Sequence, residues 1–528
     1  MGNKVLNRRL LLSIILGILI PALACNYPSS APRSGAIDDL PQTLTALSPV
    51  VPVDKTPIPD RGENQGSSQL GEVPAETGSA ISLPKPATPS LDESGQWYTY
   101  LANRGDTLGA VTKRFAVDPD QISSPQTIPA EGLLLSGQEL LIPNQIGESR
   151  YSEILLPDSE IINSPSARDF QIHEYISDAN GYLSTYGEMV NGNWLSGADI
   201  VGKVAQENSI NPRILLALLE FRSGWVFGQS EQGSKLDHPI GFFVPEYKGL
   251  YYELVLTATH LGVGYYGWRS GDRTSLTLPD GSVIRLSPGL NPGTVALQAL
   301  LSKLSNPKEW REALYDPDGF VSLYEQMYGD PWMRAAQAEP LFPDSLAQPI
   351  LELPFSPGER WSFTGGPHRS WNSGSPRGAL DFSPVTGEPP CTTSRAWVTA
   401  SAEGVVTRAS DSVLAIDLDG DGYEQTGWVL VYLHIAEPES IISGSPVLVD
   451  EPLGHPSCER GNSTGTHVHI ARKFNGEWIP ADGPLPFILS GWEVHKGERS
   501  YQGELRKGDQ TITANPGGPS SSLIVREE

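Results

Sequence analysis

Two histidines stand two positions apart in THVHIARK, residues 466–473, which is predicted to form a β-strand. Alternate side chains of a strand point to the same face, so His467 and His469 are expected to project together while Val468 turns to the other face. Imidazole nitrogens bind metals and also transfer protons near neutral pH. The pair could therefore set a metal ligand beside an acid or base, although the spacing also fits two half-exposed strand residues.

Three more polar residues lie within or at the ends of short apolar runs in the same segment. His368 lies in SFTGGPHRS, Asp381 in RGALDF, and His434 follows GWVLVYL. A buried aspartate needs a partner, and a metal ion is one. A catalytic zinc takes three ligands from His, Asp or Glu and keeps an open position for water, whose pKa it lowers to about 7. The alternative is a β domain whose histidines only satisfy its own core.

The order of these five residues resembles the lysostaphin/LasA-type zinc endopeptidases of bacterial cell walls, over roughly the last third of the chain. Their pattern is G-x-x-H followed by an Asp, then Y-x-H, then H-x-H. The resemblance implies that His368, Asp381 and His469 are zinc ligands and that His434 and His467 are the catalytic pair. Twelve residues separate the first histidine from the aspartate, which is the longer arrangement of the LasA-like branch.

The elements that must position these residues are predicted to be strands. From residue 355 to about 485, short β-rich runs alternate with glycine turns, for example AWVTASAEGVVTRAS and SVLAIDL. This texture predicts an all-β domain with antiparallel sheets. We assign it to residues 350–495, followed by a C-terminal tail at 496–528.

The segment 165–345 is predicted to be mostly α-helical. GADIVGKVAQENSI has apolar residues at helical spacing, and in NPRILLALLEFRSGW Asn211 is a predicted N-cap with Pro212 at the first helical position. This sequence pattern is similar to that of soluble lytic transglycosylases and goose-type lysozymes, whose catalytic glutamate directly precedes a serine. Here Arg222 precedes Ser223, and Glu220 stands two positions earlier.

Arginine cannot act as the general acid that glycoside cleavage requires. The resemblance therefore implies a degenerate unit that binds glycan or acts as a spacer, and an unrelated helical domain remains the alternative. Asp272 follows Gly271 and reads as a turn residue.

The segment 96–145 is predicted to be a small βααβ unit. It resembles a LysM module, a family that binds the N-acetylglucosamine-containing glycan of peptidoglycan or chitin. The positions that fill the family pattern are Gly105, Asp106, Thr107, Leu108, Arg114, Phe115, Gly137, Leu140, Ile142 and Pro143.

The N-terminus reads as an export signal over residues 1–25. Basic residues precede the apolar run LLLSIILGILIPALA, which is short for a membrane span. The ALAC stretch resembles a lipoprotein cleavage box, which implies lipidation of Cys25 and a membrane contact through that lipid; cleavage after Ala24 without a lipid is the alternative. Residues 26–95, rich in Pro, Ser and Thr, are predicted to be a flexible tether.

The number of cysteines and the net charge indicate the compartment and the partners of the protein. If Cys25 is lipidated, Cys391 and Cys458 remain, and in an oxidising compartment a disulfide between them is expected, with two unpaired thiols as the alternative. The net charge of −25 argues against nucleic acid and anionic membrane surfaces as partners.

One acidic loop, DLDGDGYE at 417–424, partly matches the residue pattern of a calcium-binding loop. Asp417, Asp419 and Asp421 fill its first, third and fifth positions, but Trp428 stands where the twelfth-position glutamate should be. A calcium site and a solvated hairpin turn both remain open. His455, near Cys458, is expected either to support the site from behind its ligands or to be structural.

The sequence predicts a multidomain, exported cell-wall enzyme. The expected chemistry is zinc-dependent hydrolysis of a peptide bond of peptidoglycan, with the LysM-like module docking on glycan. The alternative is a wall-binding regulator that has no catalysis of its own and activates other hydrolases. Glycan cleavage by the middle domain is a third reading, against which Arg222 argues.

Overall fold

The computed structural model describes residues 85–147, 149–229, 234–436, 441–461, 463–518 and 521–527. The predicted export signal, Cys25 and most of the predicted tether lie outside these ranges. Within them, no helix combines the length and the hydropathy needed to cross a membrane. The described chain forms a small N-terminal β/α module, a helical middle region and an all-β C-terminal region, in that order.

The N-terminal module is a three-stranded antiparallel sheet packed on one helix. Its strands are Ser90–Leu91, Trp97–Leu101 and Glu139–Pro143, and its helix is Leu108–Phe115, capped by the Thr107 side chain. The second helix of the predicted βααβ unit is only a 3₁₀ turn, Pro119–Gln121. Pro125 and Pro129 follow closely, and proline disfavours helical backbone in the residue before it.

The middle region is helical, as predicted. The side chain of Asn211 accepts a hydrogen bond from the Arg213 backbone, which caps the predicted helix at its predicted start. Two short hairpins, Gly187–Val190 with Asn193–Ser196 and Ser275–Thr277 with Val283–Arg285, interrupt the helices. The helices are Ile172–Ala179, Gly197–Asn208, Pro212–Ser223, Ser234–Asp237, Leu250–Arg269, Pro292–Leu304, Pro307–Tyr315, Phe320–Tyr328 and Pro331–Ala338, with 3₁₀ turns at Asp158–Glu160, Pro165–Ala167 and Tyr182–Thr185.

The C-terminal region contains one large sheet and two small ones, and every strand pair in its described part is antiparallel. The large sheet has the spatial order Pro446–Val447, Gly404–Ser410, Val413–Asp417, Trp428–Leu433, Val468–Phe474, Arg377–Pro384, Arg360–Arg369 and Leu523–Val525, with Glu477–Trp478 paired to Val468–Phe474. The small sheets are Val398–Thr399, Pro452–Pro456 and Ile435–Ala436, and Ile488–Leu489, Trp492–Lys496, Gly503–Lys507 and Gln510–Thr513.

The large sheet is covered on both faces, which explains why strands such as Trp428–Leu433 are apolar throughout. Along Val413–Asp417, Val413 and Ala415 join the core of the helical region, whereas Leu414 and Ile416 join the core of the β region. The helix Leu250–Arg269 also meets the edge of this sheet, because the Tyr265 hydroxyl donates a hydrogen bond to Glu477 at 2.8 Å. The helical and β regions therefore share one buried interface.

The segment predicted to be a C-terminal tail contributes strands to the fold. Gly503–Lys507 and Gln510–Thr513 extend the small sheet begun by Trp492–Lys496, and Leu523–Val525 pairs with the edge strand Arg360–Arg369 of the large sheet. Leu505 and Ile524 are buried in the β core.

Candidate metal centre

Neighbouring strands of the large sheet carry the three predicted metal ligands. His469 lies on Val468–Phe474 directly opposite Asp381 on the adjacent strand, and His368 lies on the next strand, paired with Ala379. Irregular pairing around Gly365 and His368 shifts the register there. Gly365 is required at this position, because a Cβ would lie 2.8 Å from Cγ of Asp381.

The three ligand atoms converge on one point. His368 Nε2 lies 3.0 Å from His469 Nδ1, and Asp381 Oδ1 lies 3.2 Å and 3.4 Å from these two nitrogens. A tetrahedral ion with ligands at about 2.0–2.2 Å would hold them roughly 3.3 Å apart. All three residues are buried, with 3–7% of their surface exposed. The donor set and spacing therefore fit a zinc ion.

Backbone carbonyls fix the ring orientation of both histidine ligands. His368 Nδ1 donates to the Gly366 carbonyl at 2.9 Å, and His469 Nε2 donates to the Ser370 carbonyl at 3.1 Å. Because a carbonyl only accepts, the hydrogen of each neutral ring sits on that nitrogen, and the other nitrogen presents a lone pair to the site. Asp381 Oδ1 is buried and has no hydrogen-bond donor in the described part of the chain.

Three lone pairs thus face one another with no donor between them, an arrangement that a cation would satisfy. The pKa shifts agree with this reading. Burial would raise the pKa of Asp381, but the neighbouring His368 and His467 outweigh it and hold the pKa well below its usual range. Burial likewise opposes charge on His368, yet the Asp381 carboxylate raises its pKa overall. The cluster therefore attracts positive charge.

His467 and His434, the predicted catalytic pair, line the same space. His467 Nδ1 donates to the Gly465 carbonyl at 2.7 Å, which leaves its Nε2 3.6 Å from Asp381 Oδ1. The His434 ring lies 4.5 Å from that of His467, centroid to centroid, and its Nδ1 donates to the Glu459 carbonyl at 2.9 Å. Burial, reinforced by His467, lowers the pKa of His434 to about 3. A neutral His434 with a free Nε2 can accept a proton.

Tyr501 was not predicted from the sequence, yet it packs on the site. Its ring stacks on that of His368 at a centroid distance of 4.2 Å, and its backbone carbonyl accepts a hydrogen bond from Gly366. About half of Tyr501 is exposed. The residue lies in the segment predicted to be a tail, within the polar run GERSYQG, which carries no periodic signal.

The structure joins Cys391 and Cys458 by a disulfide, with their Cα atoms 5.0 Å apart. His455 lies outside the metal cluster: its Nδ1 donates to the Ala396 carbonyl, and its ring packs on Trp397 at 3.9 Å.

The three acidic residues of the 417–424 loop also lie close together. Asp417 accepts hydrogen bonds from the backbone of Asp419 and Gly422, and Asp421 accepts one from the Thr426 hydroxyl. Loop donors thus satisfy these two carboxylates, and calcium there stays a prediction.

The residues of the middle region that were weighed for glycan cleavage have partners within the protein. Glu220 accepts hydrogen bonds from the backbone of Val226 and Phe227, and Arg222 donates to the Ile240 carbonyl. Asp272 forms an ion pair with Lys113 of the N-terminal module at 2.6 Å. These residues therefore have structural partners.

Parts of this chain are similar to known proteins. The family model described as LasA, N-terminal domain, matches residues 154–341, which is the helical region. Protease LasA of Pseudomonas aeruginosa is 24% identical over 320 residues, covering 57% of this chain and 70% of that protein. β-Lytic metalloendopeptidase of Achromobacter lyticus is 30% identical over 160 residues, covering 29% of this chain and 40% of that protein. Among solved structures, the M23 metalloprotease pseudoalterin matches at 26% identity with a TM-score of 0.27, over 32% of this chain and 96% of its own.

Fold and site together define a protein whose antiparallel sheet presents a buried His–Asp–His set suited to a metal. The chain is LasA-like, homologous to protease LasA and to β-lytic metalloendopeptidase.

Proposed function

We propose that this protein is a zinc-dependent endopeptidase that cleaves peptide bonds of bacterial peptidoglycan. The single observation that carries the proposal is the convergence of three lone pairs, from His368 Nε2, His469 Nδ1 and Asp381 Oδ1, at one buried point where no residue in the described ranges donates to Asp381 Oδ1. The names of the relatives, a protease and a metalloendopeptidase, support the reaction class. Peptidoglycan as the substrate rests on the resemblance to cell-wall endopeptidases.

In this proposal His368, Asp381 and His469 hold the zinc ion. When bound, zinc lowers the pKa of a coordinated water to about 7 and polarises the carbonyl of the bond to be cut. His434 is the better candidate for the general base, because its Nδ1 donates to the Glu459 carbonyl and the Nε2 of the neutral ring is left to accept a proton. His467 lies next to both His434 and Asp381. Its Nδ1 already donates to the Gly465 carbonyl, so it can steady negative charge that develops on the attacked carbonyl oxygen when its Nε2 also carries a proton.

Other parts of the proposal concern how the enzyme reaches its substrate. We assign glycan binding to the LysM-like module at 96–145 and export, with a lipid on Cys25, to residues 1–25. The helical region 165–345 would act as a spacer or a glycan-binding unit. Calcium at Asp417, Asp419 and Asp421 would stiffen the hairpin that they occupy.

The test measures zinc content and peptide release on the full chain, because the helical region covers one face of the catalytic sheet. We expect about one zinc per chain and release of new amino groups from purified peptidoglycan, both absent in His469→Ala. His434→Ala should keep the zinc and lose most of the activity. His455→Ala is the matched control, because this histidine lies outside the cluster and should change neither.

Each departure from that pattern has a distinct meaning. Zinc without peptide release in the wild type would overturn the enzyme proposal, and stimulation of a separate wall hydrolase would then establish the regulator. No zinc in the wild type would overturn the ligand assignment. Release of reducing ends in place of amino groups would assign glycan cleavage to this chain.

A further inference from the structure

A single loop wraps the candidate base. The loop 457–461 contacts His434 at two points: the Ser457 backbone donates to the His434 carbonyl at 2.7 Å, and His434 Nδ1 donates to the Glu459 carbonyl at 2.9 Å. His434 itself has a backbone φ of +64°, in the left-handed region that non-glycine residues rarely adopt. Its orientation therefore depends on the position of this loop.

The loop is anchored to the rest of the molecule on two sides. On one side, Cys458 is covalently bonded to Cys391. On the other, Arg460 donates to Glu207 at 2.6 Å, and Glu207 belongs to the helix Gly197–Asn208 of the helical region. Arg460 also donates to the Asp411 carbonyl at 3.1 Å.

The ion pair between Arg460 and Glu207 lies next to the residue that orients His434. Arg460 directly follows Glu459, so the Glu459 carbonyl belongs to the peptide bond that joins the two residues. This peptide bond contacts His434 on one side and is held by the Arg460 side chain on the other. The Glu207 side chain is 6% exposed and also pairs with Lys203 at 2.7 Å, so a second ion pair helps to hold its carboxylate in place. The Arg460 guanidinium lies 5.1 Å from the centre of the Trp371 ring, which limits its freedom further.

We propose that the Glu207–Arg460 ion pair is a positioning device by which the helical region sets the orientation of His434 in the peptidase site. The inference rests on the proposed function for its kinetic consequence but not for its structural one. It gives the helical region an indirect role in catalysis, through the orientation of His434. A base misplaced by about 1 Å can cost two orders of magnitude in rate, so a modest loop shift is enough.

Kinetics on the full zinc-loaded chain test the proposal. Arg460→Ala and Glu207→Ala should each lower kcat by about tenfold, with KM within about twofold and zinc content unchanged. The double variant should be no worse than Arg460→Ala alone, because Arg460→Ala has already removed the contact with Glu207. Glu207→Gln, which keeps an acceptor for Arg460, should recover most of the rate. Gln206→Ala is the control, because Gln206 lies on the same helix as Glu207 but its side chain donates to Glu424 of the β region at 3.1 Å, and it should stay within about twofold of wild type.

A second readout is independent of activity. Ring-nitrogen NMR of His434, assigned by its loss in His434→Gln, should show a hydrogen held on Nδ1 in the wild type and averaging between the two nitrogens in Glu207→Ala. Unchanged kcat together with unchanged spectra in Glu207→Ala would overturn the positioning role. If the wild type binds zinc but releases no peptide, the proposed function fails, and the NMR comparison alone then decides whether the ion pair positions His434.

Discussion

Replacement of Gly365 by alanine is the sharpest structural perturbation of the metal centre that leaves the identity of every ligand residue unchanged. A Cβ at this position would lie 2.8 Å from Asp381 Cγ and closer still to Oδ2, whereas ordinary contacts begin near 3.4 Å. The Asp381 side chain, or the strand that carries it, must therefore move by at least about 0.6 Å. Metal–ligand distances tolerate only about 0.2 Å, so we expect zinc affinity to fall by about 10–100-fold.

Competition against a chromogenic chelator measures that affinity directly, and thermal unfolding of the metal-free chain measures the accompanying strain, expected at about 1–3 kcal/mol. Gly465→Ala is the matched control: nothing lies within 4 Å of its hypothetical Cβ, and its own carbonyl still orients His467. Equal zinc affinities in the two variants would refute the packing argument.

Three further predictions follow from single contacts. Serine at Cys391 and Cys458 should lower the free energy of unfolding by about 4 kcal/mol, since the disulfide spans 67 residues, and chemical denaturation with and without reductant would reveal a smaller loss if the loop estimate is wrong. Burial, and then Asp158, raises the pKa of Glu339 to about 7, above its value in the unfolded chain, so the stability that this group contributes is present at low pH and lost as the pH rises through 7. The free energy of unfolding of Glu339→Gln should therefore gain about 1–2 kcal/mol over that of the wild type at pH 8 relative to pH 4.5. A difference that does not depend on pH in urea denaturation would contradict this. Tyr501→Phe should keep wild-type zinc affinity because the stacking on His368 survives, whereas Tyr501→Ala should weaken it several-fold in the same chelator assay, and equal affinities would show that the stacking does not matter.

The sequence was informative where residue type and short-range spacing carry the signal. Alternation in THVHIARK predicted that His467 and His469 share a face, and both side chains do approach Asp381. Apolar runs between glycine turns predicted the antiparallel β region, and helical spacing with the Asn211 cap predicted the middle region. These features depend on local backbone preference and burial, which a single sequence expresses directly.

What the sequence did not provide was the set of contacts between distant segments. Glu207 and Arg460 are 253 positions apart, and each has an ordinary charged-surface context in the sequence. Tyr501 reaches His368 only because the final strands fold back onto the sheet. The sequence also did not show that helices cover one face of the large sheet. A strand that is apolar at nearly every position does not reveal that its two faces belong to different cores.

The measurement that bears most directly on the central claim is metal analysis of the purified full chain, combined with zinc-edge X-ray absorption. We predict about one zinc per chain, with two imidazole nitrogens and one carboxylate oxygen at about 2.0–2.2 Å, and loss of the metal in His368→Ala, Asp381→Ala and His469→Ala. A wild-type chain that takes up no zinc, or variants that keep it, would contradict the account.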